Sequence, residues 1–370
     1  MNNIHQSYYR LYSLIIFICL LNVYNSIANT SLLDYSSFSK PKTDSTDIYF
    51  ESYGTTKKLF YPRPQRMAVV GKDMNANGAW SSLNMNYDSL KTGKWFIEQQ
   101  RYGADAIVGG IVRADSALIE RGMIALEWGM KQQQEDGSFS CPDNFHSTSF
   151  YIESVAHACL LLKKSPYLMK YEARIKLLET CITKAVNWML RPDILANGIK
   201  RNSPYTHRRY LVGAAIGETG VLCGNKYFIE ESAKFISEGI FLQDTAGFNP
   251  EKNGYDCSYH AVGLLFAHRY YDIVANDKQK KELLKMFENS FNWLLKRIDN
   301  EGNINMEGNT RTGSNQEKTR EGKPKNVSYG SITNSLIWWS LYKHDNQLES
   351  LAEKVFNTGK LKASNQVPIK

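Results

Sequence analysis

Asp136-Gly137-Ser138-Phe139 ends a long amphipathic segment, and the same arrangement returns at Asn197-Gly198-Ile199, Ala246-Gly247-Phe248 and Glu301-Gly302-Asn303-Ile304. Each time, helix-like apolar spacing stops, a glycine follows, and a β-like apolar residue leads into a polar loop. The four glycines stand 61, 49 and 55 residues apart. A chain leaving a helix commonly passes through positive φ, which glycine adopts without steric cost. In three of the four cases a tryptophan, Trp128, Trp188 or Trp293, precedes the glycine by nine or ten residues. A ring at one fixed depth predicts that the preceding helices dock alike. A period of about 55 residues suits one hairpin of two helices with its loops.

The intervening sequence keeps helical spacing. Ile107, Ile111, Leu118, Ile124 and Leu126 form one set; Leu264, Leu265, Tyr270 and Ile273 another; Leu283, Phe287, Phe291 and Leu294 a third. Sustained β alternation is missing, so the pattern predicts roughly ten helices in about five hairpins. The expected fold is all-α, an (α/α) toroid or incomplete barrel over residues 66–345, followed by a C-terminal helix and tail over 346–370.

The remaining ends read differently. Arg10, the apolar run Leu14-Ile15-Ile16-Phe17-Ile18-Cys19-Leu20-Leu21 and the small residues Ser26-Ile27-Ala28 predict a signal peptide over 1–28. The run is shorter than the about 20 residues a membrane span needs, so no stable insertion is expected after cleavage. Residues 29–65, with Lys40-Pro41-Lys42 and Tyr61-Pro62-Arg63-Pro64 as breakers, read as an extended tether. A periplasmic or secreted location follows from this leader. Beyond it remain Cys141, Cys159, Cys181, Cys223 and Cys257, an odd number with scattered spacing, which argues against a disulfide framework or a zinc site. No spacing asks for a metal or a cofactor.

Lysine and arginine total 45 against 37 acidic residues, so a polyanionic partner is favoured. The 22 tyrosines and 7 tryptophans supply rings that stack on sugars as readily as they fill cores. The basic residues are dispersed rather than striped, which disfavours nucleic acid. An acidic polysaccharide or oligosaccharide is the expected ligand.

Equivalent hairpins would bring the residues after each glycine turn to one mouth. His146 follows the first turn; Asn202, Tyr205, His207, Arg208, Arg209 and Tyr210 the second; Tyr255, Asp256, Tyr259 and His260 the third; Arg311, Arg320 and Tyr329 the fourth. Thr206 offers a cap for a helix carrying His207 and two arginine forks, which match carboxylate or sulfate. Tyr259 and His260 supply two proton-transfer groups, and Asp256 either orients one of them or caps the helix. The polar segment from Glu301 to Tyr329 is long enough to serve as a basic lid.

Asn202…His207…Tyr210…Ala214-Ala215, followed by Gly247-Phe248-Asn249-Pro250-Glu251…Tyr259-His260, resembles the alginate lyases with an α/α barrel, and more broadly the chondroitin- and heparin-type lyase toroids. The resemblance covers about 70 of the 370 residues. It implies β-elimination on a uronate-containing chain, with Asn202 and His207 as carboxylate neutralisers or base and Tyr259 as base and acid. In that family the Asn and His are adjacent, whereas five positions separate them here.

Two alternatives stay open. A glycoside hydrolase on the same scaffold needs an acid pair, for which Asp143 and Asp256 lie nearest the mouth; Asp115 and Glu153 read instead as partners of Arg113 or His157. A non-catalytic glycan-binding protein would keep the aromatic mouth alone.

Overall fold

Helix after helix leaves its neighbour by the same two-residue device. Ala114, Gly224 and His344 each take left-handed φ (55°, 67° and 53°), and the next backbone N–H returns to the helix just left: Asp115 to Gly110 at 2.8 Å, Asn225 to Gly220 at 2.8 Å, Asp345 to Ser340 at 2.9 Å. That next residue then caps the following helix. Asp115 Oδ1 accepts from Leu118 N, Asn225 Oδ1 from Phe228 N and Asp345 Oδ1 from Leu348 N. One short connector thus satisfies orphan carbonyls behind it and orphan amides ahead of it. Antiparallel hairpins result.

The computed structural model describes residues 74, 78–80, 96–313, 316–319 and 322–364, all within one unit spanning Asp44–Lys370. The expected leader 1–28 and tether 29–65 lie outside the described residues. Among the described residues there are eleven α-helices and no strand: α1 Tyr102–Arg113, α2 Ser116–Met130, α3 Asn144–Lys163, α4 Leu168–Met189, α5 Pro192–Asn202, α6 Thr206–Cys223, α7 Lys226–Phe241, α8 Cys257–Ile273, α9 Asp277–Leu295, α10 Tyr329–Lys343 and α11 Asn346–Ser364. Five hairpins pair α1 with α2, α3 with α4, α6 with α7, α8 with α9 and α10 with α11. The first members pack side by side in the order α1, α3, α6, α8, α10. Helices α3, α6 and α8 are buried around almost their whole circumference, while α4, α7 and α9 bury one stripe. The first set is therefore inner and the second outer. The C-terminal helix α11 completes the fifth hairpin.

At the other end, three of the glycine turns share one geometry. Gly137, Gly247 and Gly302 have φ of 92°, 101° and 79°, and donate their N–H to Gln134, Asp244 and Asp299. A Cβ on Gly137 would meet Lys184 O at 2.4 Å, and one on Gly247 would meet Asn289 O at 2.4 Å; Gly302 lies equally close to the backbone at Lys354. Each turn is thus pressed onto the outer helix of the next hairpin. Gln133 and Gln243 fasten it there, donating to Cys181 O at 2.9 Å and Met286 O at 3.0 Å. The repeat in sequence is a repeated staple in space.

Asn197-Gly198-Ile199 departs from this pattern. It lies inside α5, which begins with Pro192 at its first turn, carries Asp193 there and ends with Lys200 and Arg201. Pro fits an N-terminal turn and the charges match the helix dipole, so this segment winds instead of turning. Gly198 is buried because Phe145 packs on it, with a ring atom 2.6 Å from where a Cβ would stand. The five described cysteines are all free. No described helix is long and apolar enough to cross a membrane.

Candidate functional site

The loops entering the inner helices are the long ones, and they meet over a cavity of about 990 Å³. Its wall takes residues from the starts of the first helix of all five hairpins: Tyr102 from α1, His146 from α3, His207 and Arg208 from α6, Ser258 and Tyr259 from α8, and Gly330 and Ser331 from α10. Helix N-termini carry exposed amides and positive potential, so this end favours an anion. Among the described lining residues seven are Lys or Arg and four are Asp or Glu, which adds to that bias.

His207 and Tyr259 form the centre, with ring centroids 4.9 Å apart. Glu251 stands behind His207: its Oε1 accepts from His207 Nδ1 at 2.8 Å and from the His207 backbone N–H at 3.0 Å. Arg311 Nη1 donates to the other oxygen at 3.0 Å. Burial, then the charges of Arg311 and Arg208, push the His207 pKa well below 6.5. The bond to Glu251 is therefore that of a neutral imidazole, and no described residue bonds Nε2. Burial raises Glu251 to about 7, against the pull of Arg311. A buried carboxylate that orients a neutral histidine is a way to present an imidazole lone pair to a cavity.

Tyr259 is held from two sides. The Arg311 guanidinium lies 3.4 Å from its ring centroid, and Lys325 Nζ donates to its Oη at 3.0 Å. The lone-pair acceptor and the phenol thus face one cavity with a cation at each.

His146 joins this group, its ring 6.3 Å from that of His207 and its Nδ1 unpartnered among the described residues. Burial first, then Arg208, depresses its pKa well below 6.5. Arg208 reaches the wall with Nη1 bound to Asn202 Oδ1 at 2.8 Å, while its Nε is left unpartnered. Tyr205 lies between two guanidiniums, 4.4 Å from Arg208 and 4.5 Å from Arg311. Asn202 is buried behind the wall: it positions Arg208 through its side chain and Arg209 through its carbonyl.

Other expected site residues are placed elsewhere. Arg209 turns to Glu238 of α7 at 3.0 Å, and Tyr210 is fully buried against Gly239 and Gly263. His260 is also fully buried, its ring 4.8 Å from Trp293, its Nδ1 accepting from Asn249 N, and its pKa lowered by burial to about 3. Tyr255 packs on Phe248 and Trp293 under Arg297. Tyr329 bonds Lys362 at 2.8 Å. Both oxygens of Asp256 are occupied: Oδ1 caps α8 through the amides of Ser258 and Tyr259, and Oδ2 takes the amides of Arg311 and Thr312 and the Thr312 hydroxyl. Asp256 therefore anchors the loop that delivers Arg311. Arg320 lies outside the described residues.

The acids weighed for hydrolysis are likewise engaged. Asp143 lies 3.6 Å from Arg208, Glu153 pairs with Arg269 on the cavity floor, and Asp115 caps α2. His157 pairs with Glu218 instead of Glu153. Sequence spacing alone did not single out Glu251, Glu317 or Lys325, although the first lies in the Gly247–Glu251 stretch. Among the described residues no group of three His, Cys, Asp or Glu side chains is placed to hold a metal.

No protein-family model, curated protein or solved structure matches this chain.

Proposed function

We propose that the chain is a polysaccharide lyase that cleaves an acidic, uronate-containing glycan by β-elimination, on an incomplete (α/α) toroid of five hairpins. The carrying observation is the pair His207 and Tyr259 on the wall of a basic cavity, one held by Glu251 and the other between Arg311 and Lys325.

The difficulty of the reaction is the weak acidity of a proton α to a carboxylate, whose loss adds negative charge beside the first. Arg311, Arg208 and the unpartnered His146 supply donors for that carboxylate, each worth about 3 kcal/mol in a dry site. His207 Nε2 then takes the C5 proton, the electron pair closes a C4=C5 double bond, and the C4–O bond breaks. Tyr259 Oη gives its proton to the leaving oxygen and regains one through Lys325. Both proton carriers return to their starting states after the His207 proton passes to water.

Hydrolysis needs two carboxylates free on opposite sides of the sugar. Three of the wall acids are committed to arginines, Glu98 to Arg101, Asp143 to Arg208 and Glu153 to Arg269, and this weighs against a hydrolase. The test is incubation of the mature chain with alginate, glucuronan, chondroitin and heparin. A lyase releases a 4,5-unsaturated uronate with strong ultraviolet absorbance, a hydrolase only reducing ends, and a binder neither.

A further inference from the structure

Three cations converge on one side chain beside the phenol. Glu317 Oε2 lies 2.5 Å from Lys325 Nζ, the Arg311 guanidinium approaches both its oxygens at 3.2–3.3 Å, and Lys252 Nζ also pairs with it. Arg311 also pairs with Glu251, so two carboxylates face three cations and the cluster retains positive charge. Two of the three, Arg311 and Lys325, line the cavity and both touch Tyr259. A carboxylate that satisfies both must lie next to the Tyr259 hydroxyl. The ligand carboxylate of the proposed reaction also draws on Arg311 beside this phenol, so it competes with Glu317 for that place.

Glu317 sits on a short hairpin that is largely closed on itself. Glu317 N donates to Arg311 O, Lys325 N to Glu317 O at 2.9 Å, and Gly313 N to Lys325 O at 2.8 Å. The base of this hairpin is fixed by Asp256, through Arg311 N and Thr312 N. Toward the body of the protein, the arms of the hairpin are held by the pairs Glu317–Lys252, Glu317–Arg311 and Lys325–Tyr259. All three are polar and exchangeable with an incoming anion.

We propose that Glu317 is a resident carboxylate which occupies the acidic-ligand subsite and is displaced by the carboxylate of the glycan, so that it sets both the threshold and the selectivity for acidic ligands. The idea rests on the proposed lyase reading for the identity of the natural ligand, but its physical content is competition between two carboxylates for Arg311 and Lys325. Displacement exchanges an internal carboxylate for an external one at Arg311 and Lys325, while Lys252, which does not line the cavity, stays with Glu317. A neutral sugar has nothing to offer in that exchange and is excluded.

The test uses D-glucuronate, with glucose as the neutral control, titrated calorimetrically at low ionic strength into the mature chain. Glu317→Gln keeps the shape and removes the competing charge; it is expected to bind glucuronate about 10-fold more tightly than wild type, with glucose binding unchanged. Adding Lys325→Met to that variant is expected to abolish the gain. Thermal melting verifies that each variant is folded, and Glu317→Ser replaces the Gln variant should the latter melt early. Equal or weaker glucuronate binding by the folded variant, or no binding by either protein, overturns the proposal. Because binding is read without turnover, tighter glucuronate binding with no unsaturated product from any polymer would retain Glu317 as competitor and reject the lyase.

Discussion

Glu251 grips His207 at two points, taking its Nδ1–H at 2.8 Å and its backbone N–H at 3.0 Å with the same oxygen. Replacing Glu251 by alanine removes the orienting acceptor and leaves Arg311 without its buried partner. Positioned acid–base groups contribute about 100-fold or more to rate, and Glu251→Ala is expected to lose at least that in kcat. The position of the His207 ring resonances in an NMR spectrum would separate a lost tautomer from a lost fold.

Tyr259→Phe keeps the ring beneath Arg311 and deletes only the hydroxyl bonded to Lys325. Activity is expected to fall about 100-fold or more with thermal stability nearly unchanged. Retained activity in this variant would remove Tyr259 from proton transfer.

The pH–rate profile should carry a displaced acid limb. Burial, then Arg311 and Arg208, lower the pKa of His207, so a base of this kind stays deprotonated below 6.5. The acid limb of kcat/KM is expected to open at about 7, where Glu251 protonates, and to steepen below 6.5 as His207 does; Arg311→Met should move it upward while weakening binding. A limb that stays in place in this variant would show that Arg311 does not act on His207.

Stability should fall on acidification for a separate reason. His146, His260 and His268 are buried without a carboxylate partner, and burial lowers all three pKa values, His260 to about 3. In the unfolded chain they titrate near 6.5. Below that pH the unfolded state binds more protons, so stability is present above 6.5 and is lost as pH falls toward the folded values. Each buried histidine contributes about 1.4 kcal/mol per pH unit to this slope while it stays neutral in the fold. Denaturant titrations from pH 7 to 5 should show the loss, and His268→Phe, in the ring stack with Trp338, should make it shallower.

Gly247→Ala probes the staple. Its φ of 101° and the 2.4 Å approach of Asn289 O leave no room for a methyl group, and a loss of about 3 kcal/mol is expected in urea unfolding. Gly322→Ala shares the positive φ but meets nothing within 4 Å, so about 1 kcal/mol is expected there.

The helical hairpins were legible because their marks are local: Gly137, Gly247 and Gly302 announce positive φ, and Trp128 and Trp293 fix the depth of the helix before two of them. Asn197-Gly198 carries the same local mark, yet Pro192 and the flanking charges wind it into α5, and only its packing on Phe145 explains the glycine. The site was legible in part. His146, His207, Tyr259 and Arg311 do meet, since each starts or precedes an inner helix. Neighbours in sequence do not share a helix face, because successive residues diverge by about 100°. His260 therefore turns from Tyr259 into the core against Trp293, and Arg209 turns from Arg208 to Glu238. Tyr210, three residues past His207, shares its face and is buried a turn deeper, where both meet Gly263. Glu251, Glu317 and Lys325 come from irregular loops whose paths are set by tertiary bonds to Asp256, Tyr259 and Lys252, which leave no periodic trace.

The central claim is that the basic cavity abstracts a proton from a uronate and expels the adjoining sugar. The direct measurement is the ultraviolet absorbance of polyuronates incubated with the protein, run beside its Tyr259→Phe and His207→Ala variants. A rise in absorbance with wild type that both variants abolish is the predicted result. New reducing ends without the absorbance, or absorbance that survives both substitutions, would contradict the account.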